Sequence, residues 1–284
     1  MIEGALDRRT YAYRDDLADA NLEGKVDAPR FAAGERRQVV AGVTTLRREP
    51  RHDAPLDTEL LFGEAVTVYD EREGWAWVQA EADRYVGYVS ADALTTSISE
   101  PTHRVRALRT HLYPAPDIKS PPLELLSMNA LVSVEKIDGR FAQLGDGRFA
   151  TAAHLVRATE FAPDFVTVAE KFLGTPYLWG GRTSIGLDCS ALVQLSLNAA
   201  GRSCPRDSDM QEALGEKLAD PKNLDALERG DLLFWKGHVG MMLDGDRLLH
   251  CNAFHMATAI EPVAEAVERI EASESPVTSV RRLS

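Results

Sequence analysis

Cys189, His238 and His250 are the residues whose types and separation could do chemistry. Cys189 stands between Asp188 and Ser190 in "GLDCSALVQLSLNAAG", residues 186–201. After it, Leu192, Val193, Leu195 and Leu197 recur at mostly helical spacing, and Gly201 supplies a stop. The pattern puts the cysteine at a helix N-terminus, where unpaired N–H groups and the helix dipole favour a thiolate. A thiolate with an imidazole in reach, and a third polar group to orient that imidazole, is a nucleophilic catalyst. His238 opens "HVGMML" and His250 lies inside "RLLHCN". Alternation along a strand gives His238 the face of Gly240 and Met242, away from Val239, Met241 and Leu243. "DGD" at 244–246 reads as a tight turn, so the two segments pair antiparallel and carry both histidines to one end of a sheet. The Cys189 helix packed over that end completes the trio. The alternatives are a buried structural thiol at 189 and Asn252 as the orienting group. Cys204 and Cys251 are read as bystanders.

These residues need elements to hold them. "APDFVTVAEKFLG" ahead of the cysteine is amphipathic, with an Asp near its start and Gly174 at its end. A short helix is expected from Met210, where "SDMQ" fits a capping box with Ser208 at its head. The strands "DLLFW", "HVGMML", "RLLHCN" and "VTSVRRL" follow, with "VAEAVERIEA" as a helix among them. Helices first and antiparallel strands second make an α+β domain.

Before residue 160 the pattern differs. Residues 1–36 are polar, with one possible helix around Tyr13 to Ala20, and read as a lead-in segment. Residues 37–97 and 98–158 repeat one another loosely. Each has a Pro-containing loop, a "TELL" or "LELL" segment, an alternating strand (Ala65 to Tyr69, Ala130 to Glu135), a Gly turn and an aromatic strand. Each then ends in "ADAL" or "AAHL". Short strands between turn signals predict two small β-barrels, and the pattern resembles bacterial SH3-like domains.

With 284 residues, 44% hydrophobic and 27% charged, the chain has the composition of a soluble multidomain protein. A net charge of −12 argues against nucleic acid or an anionic membrane as partner. No apolar run is long enough for a membrane-spanning helix, and the charged N-terminal stretch lacks the apolar segment of a signal peptide. Three cysteines form no disulfide framework, and the expected location is the cytoplasm. No C-x-x-C or H-E-x-x-H spacing and no phosphate-binding glycine loop is present, so neither metal nor cofactor is expected.

The segments "TPYLWGG", "LDCSALVQ", "PRDSDMQ", "GDLLFWKGHVGMML" and the His of "LLHCN" run in order over nearly all of residues 160–260. Together they resemble the NlpC-type peptidases, a papain-like family that cleaves bacterial wall peptides. The resemblance implies Cys189 as nucleophile, His238 as general base and then acid, and His250 as orienter. It also implies an oxyanion site built partly from the Cys189 backbone N–H. Two SH3-like domains ahead of the peptidase resemble the γ-D-glutamyl-L-diamino acid endopeptidases, which act on stem peptides with a free N-terminal L-Ala. That resemblance assigns Asp188 to the ammonium group, and Tyr177, Trp179, Ser190 and Ser208 to the substrate pocket. It takes Tyr85 and one acid of "LDTELLFGE" as the end wall, with Asp57 the first choice, then Glu59 and Glu64.

The expectation is therefore an α+β chain, a papain-like catalytic domain at 159–284 preceded by two small barrels. Its substrate is a murein stem peptide, L-Ala-γ-D-Glu-diamino acid, in wall-peptide recycling. Alternatives are an amidase or acyltransferase on another substrate, and a non-catalytic wall-peptide binding protein.

Overall fold

The helix that begins at Cys189 is the axis of the C-terminal part of the chain. In the computed structural model, which describes residues 6–218, 220–221 and 223–283, it spans Cys189–Ala199 (α2), and ten of its eleven residues are buried. Asp188 caps it, accepting from the Ala191 N–H at 2.8 Å. Gly201 ends it at a φ of +78°, a backbone conformation that favours glycine, while the Arg202 N–H returns to the Leu197 carbonyl at 2.9 Å. A helix buried on all sides must satisfy its own polar groups. Gln194 does so by accepting from Arg182 Nε at 2.7 Å and donating to the Cys204 carbonyl at 3.2 Å. Ser196 donates to the Leu192 carbonyl at 2.7 Å.

The chain divides into two compact units, Met1–Glu160 and Phe161–Ser284. The second unit also contains α1 (Phe165–Glu170), α3 (Ser208–Gln211) and α4 (Val263–Ser273). Besides a short pair, Arg182–Thr183 with Gly186–Leu187, six strands of this unit form its main sheet and are numbered within it: β1 (Glu216–Lys217), β2 (Leu232–Trp235), β3 (His238–Met242), β4 (Arg247–Asn252), β5 (Ala257–Pro262) and β6 (Ser279–Arg282). They form one antiparallel sheet in the order β1-β6-β2-β3-β4-β5. α4 lays Val263, Ala266 and Ile270 against Leu233, Trp235, Met242 and Leu248 of the sheet. α2 packs on β3 and β4. The expected α+β arrangement is present. α1 is shorter than its amphipathic stretch, and α3 starts at Ser208 with Asp207 as N-cap, so Ser208 is the first helical residue rather than the cap.

In the first unit a seven-stranded sheet uses strands between residues 35 and 95. A three-stranded and a five-stranded sheet use residues 103–157. The first strand of the seven, Glu35–Val39, begins two residues inside the segment read as a lead-in. That segment is not helical where a helix was expected. Tyr13–Arg14 and Leu17–Asp19 are paired strands, since Ala12 and Leu17 are drawn onto Trp77 of the seven-stranded sheet. Arg14 joins Asp16, Asp70 and the Tyr88 hydroxyl. Tertiary burial of two apolar side chains and one guanidinium outweighs a weak local helix preference here. Residues 1–5 of the segment lie outside the described residues.

Candidate active site

The strands β3 and β4 are paired only at Met241–Leu249 and Met242–Leu248, with Asp244 closing the turn between them. Toward His238 this ladder opens, and there the Val239 backbone N–H faces the Cys189 sulfur, as does that of Ser190. The helix N-terminus thus reaches β3 one residue from His238. His238 Nε2 lies 2.9 Å from His250 Nδ1, their ring centroids 5.2 Å apart. Cys189, His238 and His250 are therefore brought to one place, as the strand pairing and the helix start predict.

Beyond His250, three residues that the sequence reading did not single out complete the polar chain. Glu261 Oε1 is 2.7 Å from His250 Nε2, and Arg269 Nη2 is 2.5 Å from the same oxygen. His255 Nδ1 stands 4.0 Å from it. No spacing rule flags Glu261 or Arg269, because strand register and helix docking bring them in. Asn252, the alternative orienter, accepts instead from the His255 N–H at 2.8 Å and faces His255 Nδ1 at 3.1 Å. Ligand atoms of His250, His255 and Glu261 lie within 4.8 Å of one another. The positive charge facing that carboxylate is the Arg269 guanidinium.

On the other side of Cys189 stands a buried ion pair. Asp188 accepts from the Gly180 N–H at 3.0 Å and Ser190 Oγ at 3.2 Å, and from Arg206 through both oxygens at 3.0 and 2.7 Å. Arg206 is 1% exposed, another residue the sequence reading passed over, although it sits in the quoted "PRDSDMQ". Gln211 of the same segment donates to the Ser190 and Pro205 carbonyls at 2.9 Å each. Tyr177 is half-buried, with burial first and then the neighbouring Cys189 and Asp188 raising its phenol above its ordinary value. Trp179 is 68% exposed and Ser208 is half-buried. Trp179 is thus no core residue.

The electrostatics differ from a simple resting thiolate. Burial pushes the Cys189 thiol up to about 12, and the Asp188 charge adds to this, while the Val239 and Ser190 N–H groups pull the other way. Burial likewise holds His238 down at about 3, with His250 and Arg269 contributing. Each charge on its own is disfavoured here. Cys251, buried with its Sγ 3.1 Å from the Leu187 carbonyl, is also raised to about 12.

The remaining expected residues belong to the first unit. Tyr85 is 5% exposed in the cluster with Leu46, Leu60 and Val78. Asp57 pairs with Arg48 at 2.6 Å, and Tyr85 also bears on that guanidinium. Glu64 accepts the Leu61 N–H at 3.0 Å. Glu59 is buried on the strand Leu56–Leu61, opposite Thr45.

A helix-borne cysteine against an antiparallel sheet that presents two histidines is the arrangement of a papain-like cysteine peptidase. Residues 174–268 match the NlpC/P60 family and residues 46–94 the bacterial dipeptidyl-peptidase Sh3 domain. The chain accordingly carries an NlpC/P60 cysteine peptidase domain together with a bacterial SH3 domain. It is 29% identical over 253 residues to the gamma-D-glutamyl-L-lysine dipeptidyl-peptidase of Bacillus subtilis, covering 81% of this chain and 82% of the relative. It is 27% identical over 238 residues to dipeptidyl-peptidase 6 of Lysinibacillus sphaericus, covering 75% and 86%. The crystal structure of an NlpC/P60 family protein from Bacillus cereus shares the fold, with a TM-score of 0.73, 21% identity, and coverage of 87% of this chain and 99% of that one.

Proposed function

We propose that the protein hydrolyses the γ-D-Glu–L-diamino acid bond of murein peptides bearing a free N-terminal L-Ala. The observation that carries this reading is Cys189 meeting the Val239 N–H beside a His238–His250 pair, with the Asp188 carboxylate one residue before the sulfur. The gamma-D-glutamyl-L-lysine dipeptidyl-peptidases among the relatives support the substrate class.

In this reading the Cys189 sulfur attacks the γ-carbonyl carbon of D-Glu as its proton passes to His238. Burial disfavours either charge alone, so the proton leaves the sulfur for His238 rather than for solvent. The Cys189 backbone N–H helps hold the oxyanion. His238 then protonates the leaving amine of the diamino acid, and a thioester remains on the sulfur. Water, losing its proton to His238, attacks that thioester, and L-Ala-γ-D-Glu departs as the thiol re-forms. Asp188, aimed by Arg206, accepts from the substrate ammonium, with Ser190, Tyr177, Trp179 and Ser208 in the pocket. Tyr85 and one acid of the first unit, Asp57 the first choice and then Glu59 and Glu64, are assigned to substrate recognition. The sheets of residues 103–157 are assigned to a second SH3-like module. The setting is taken to be peptide recycling in the cytoplasm.

The test is a pair of tripeptides, L-Ala-γ-D-Glu-L-Lys and its N-acetyl form, incubated with the purified protein and followed by mass spectrometry. Cleavage of the free peptide alone, at the γ-glutamyl bond, is expected, since blocking the ammonium group by acetylation costs about 2–5 kcal/mol of recognition. Equal cleavage of both removes the amine pocket. The Cys189→Ala variant is expected to fold and to leave both peptides intact, and turnover by it would remove the nucleophile.

A further inference from the structure

The polar chain that starts at His238 ends on a carboxylate. Glu261 lies on β5, two residues along the ladder from the partner of His250, because Leu248 faces Glu261 and His250 faces Ala259. Its Oε1 meets His250 Nε2 at 2.7 Å, and His250 Nδ1 meets His238 Nε2 at 2.9 Å. Arg269 reaches the same carboxylate from α4, with its guanidinium over the Phe254 ring at 4.1 Å. His250 is fully buried, so no water competes for its two nitrogens.

We infer that Glu261 is a positioning residue that fixes the tautomers of His250 and, through it, of His238. This rests on His238 being the base, as proposed above. An ionised carboxylate only accepts hydrogen bonds, so His250 Nε2 must carry the proton. His250 Nδ1 is then a lone pair, and the only hydrogen bond it can make to His238 is as acceptor. His238 Nε2 therefore carries the proton, and its Nδ1 keeps the free lone pair needed to take the proton of a thiol. Reversing any one bond reverses all of them, and would leave His238 with an N–H where a base is required. Burial holds both imidazoles below their ordinary basicity, so each carries a single ring proton in the resting enzyme. Burial works against the charge of Glu261, but the His250 hydrogen bond, with Arg269 adding to it, keeps this carboxyl below the usual carboxylate range. The charged and titratable groups around Glu261 are His250 and His238 from the sheet, His255 from the loop after β4, and Arg269 from α4.

The test joins a spectrum to a rate. In the Cys189→Ala protein with Glu261 intact, the 15N imidazole resonances should show His250 protonated at Nε2 and unprotonated at Nδ1. Protonation at Nδ1 overturns the inference outright, whether or not any Glu261 variant folds. Glu261→Met removes the acceptor altogether, so nothing holds the His250 proton at Nε2 and both rings should populate the other tautomer. Its kcat should fall about 10–100-fold with KM within about twofold. The acid limb of kcat/KM should also move to lower pH, since a negative charge that favoured imidazolium is gone. A role confined to stability would lower the rate equally at every pH and leave the ring tautomers of the folded fraction unchanged, and either result sinks the proposal. Retained turnover in Cys189→Ala would instead remove the catalytic reading, with the tautomer spectrum still deciding for or against Glu261.

Discussion

Arg206 grips Asp188 with a parallel fork, Nη1 to Oδ1 at 3.0 Å and Nη2 to Oδ2 at 2.7 Å, immediately before the cysteine that starts α2. The carboxylate is at once the helix cap, the partner of a buried guanidinium and the proposed amine acceptor. Removing Arg206 leaves that charge buried without its counter-ion. Arg206→Ala is expected to lower unfolding stability by about 3–5 kcal/mol, measured by urea denaturation. Arg206→Lys should recover only part of the loss, because an ammonium cannot reproduce the fork. A loss below about 1 kcal/mol, the range of an exposed pair, would mean that the backbone N–H groups alone stabilise Asp188.

The protonation state of Cys189 can be read by alkylation. With burial raising the thiol to about 12, iodoacetamide labelling of the free enzyme should climb steadily from about pH 7 to about pH 9. Cys189 should still label ahead of Cys204 and Cys251, which are more deeply buried. A rate that is already flat across this range would instead reveal a standing thiolate–imidazolium pair.

Asp164 caps α1, accepting from the Val166 N–H at 2.9 Å and the Thr167 hydroxyl at 2.7 Å, and it pairs with Arg229 at 2.7 Å. Burial acts against its charge, but these hydrogen bonds outweigh it and hold the carboxyl below its ordinary value. A depressed folded-state pKa stabilises the protein above the unfolded value, near pH 4, and the contribution fades as pH falls through the folded value. Asp164→Ala should therefore cost about 0.5–2 kcal/mol at neutral pH. The gap between variant and parent should narrow in urea titrations run well below pH 4, and an undiminished gap there would contradict the assignment.

Local order determined much of this protein. The spacing of Leu192, Val193, Leu195 and Leu197, bounded by Asp188 and Gly201, specified the central helix and put the sulfur at its head. The "DGD" turn specified the antiparallel pairing that carries His238 toward His250. Both signals act over a few residues, where capping and alternation are encoded directly.

The chain order could not place what is gathered from far apart. Arg206 meets Asp188 across 18 positions and Arg182 meets Gln194 across 12, each because a fully buried helix must pair its polar groups. Tyr13 to Ala20 read as a possible helix, yet Tyr13–Arg14 and Leu17–Asp19 are paired strands, because Trp77 offers Ala12 and Leu17 a surface to cover. Glu261 carries no motif at all, and only the β4–β5 register and the docking of α4 bring it to His250 beside Arg269. The burial that bears on the sulfur's charge likewise comes from tertiary structure. A helix N-terminus favours the anion, but the depth at which packing sets Cys189 opposes it, and only the folded structure reveals that depth.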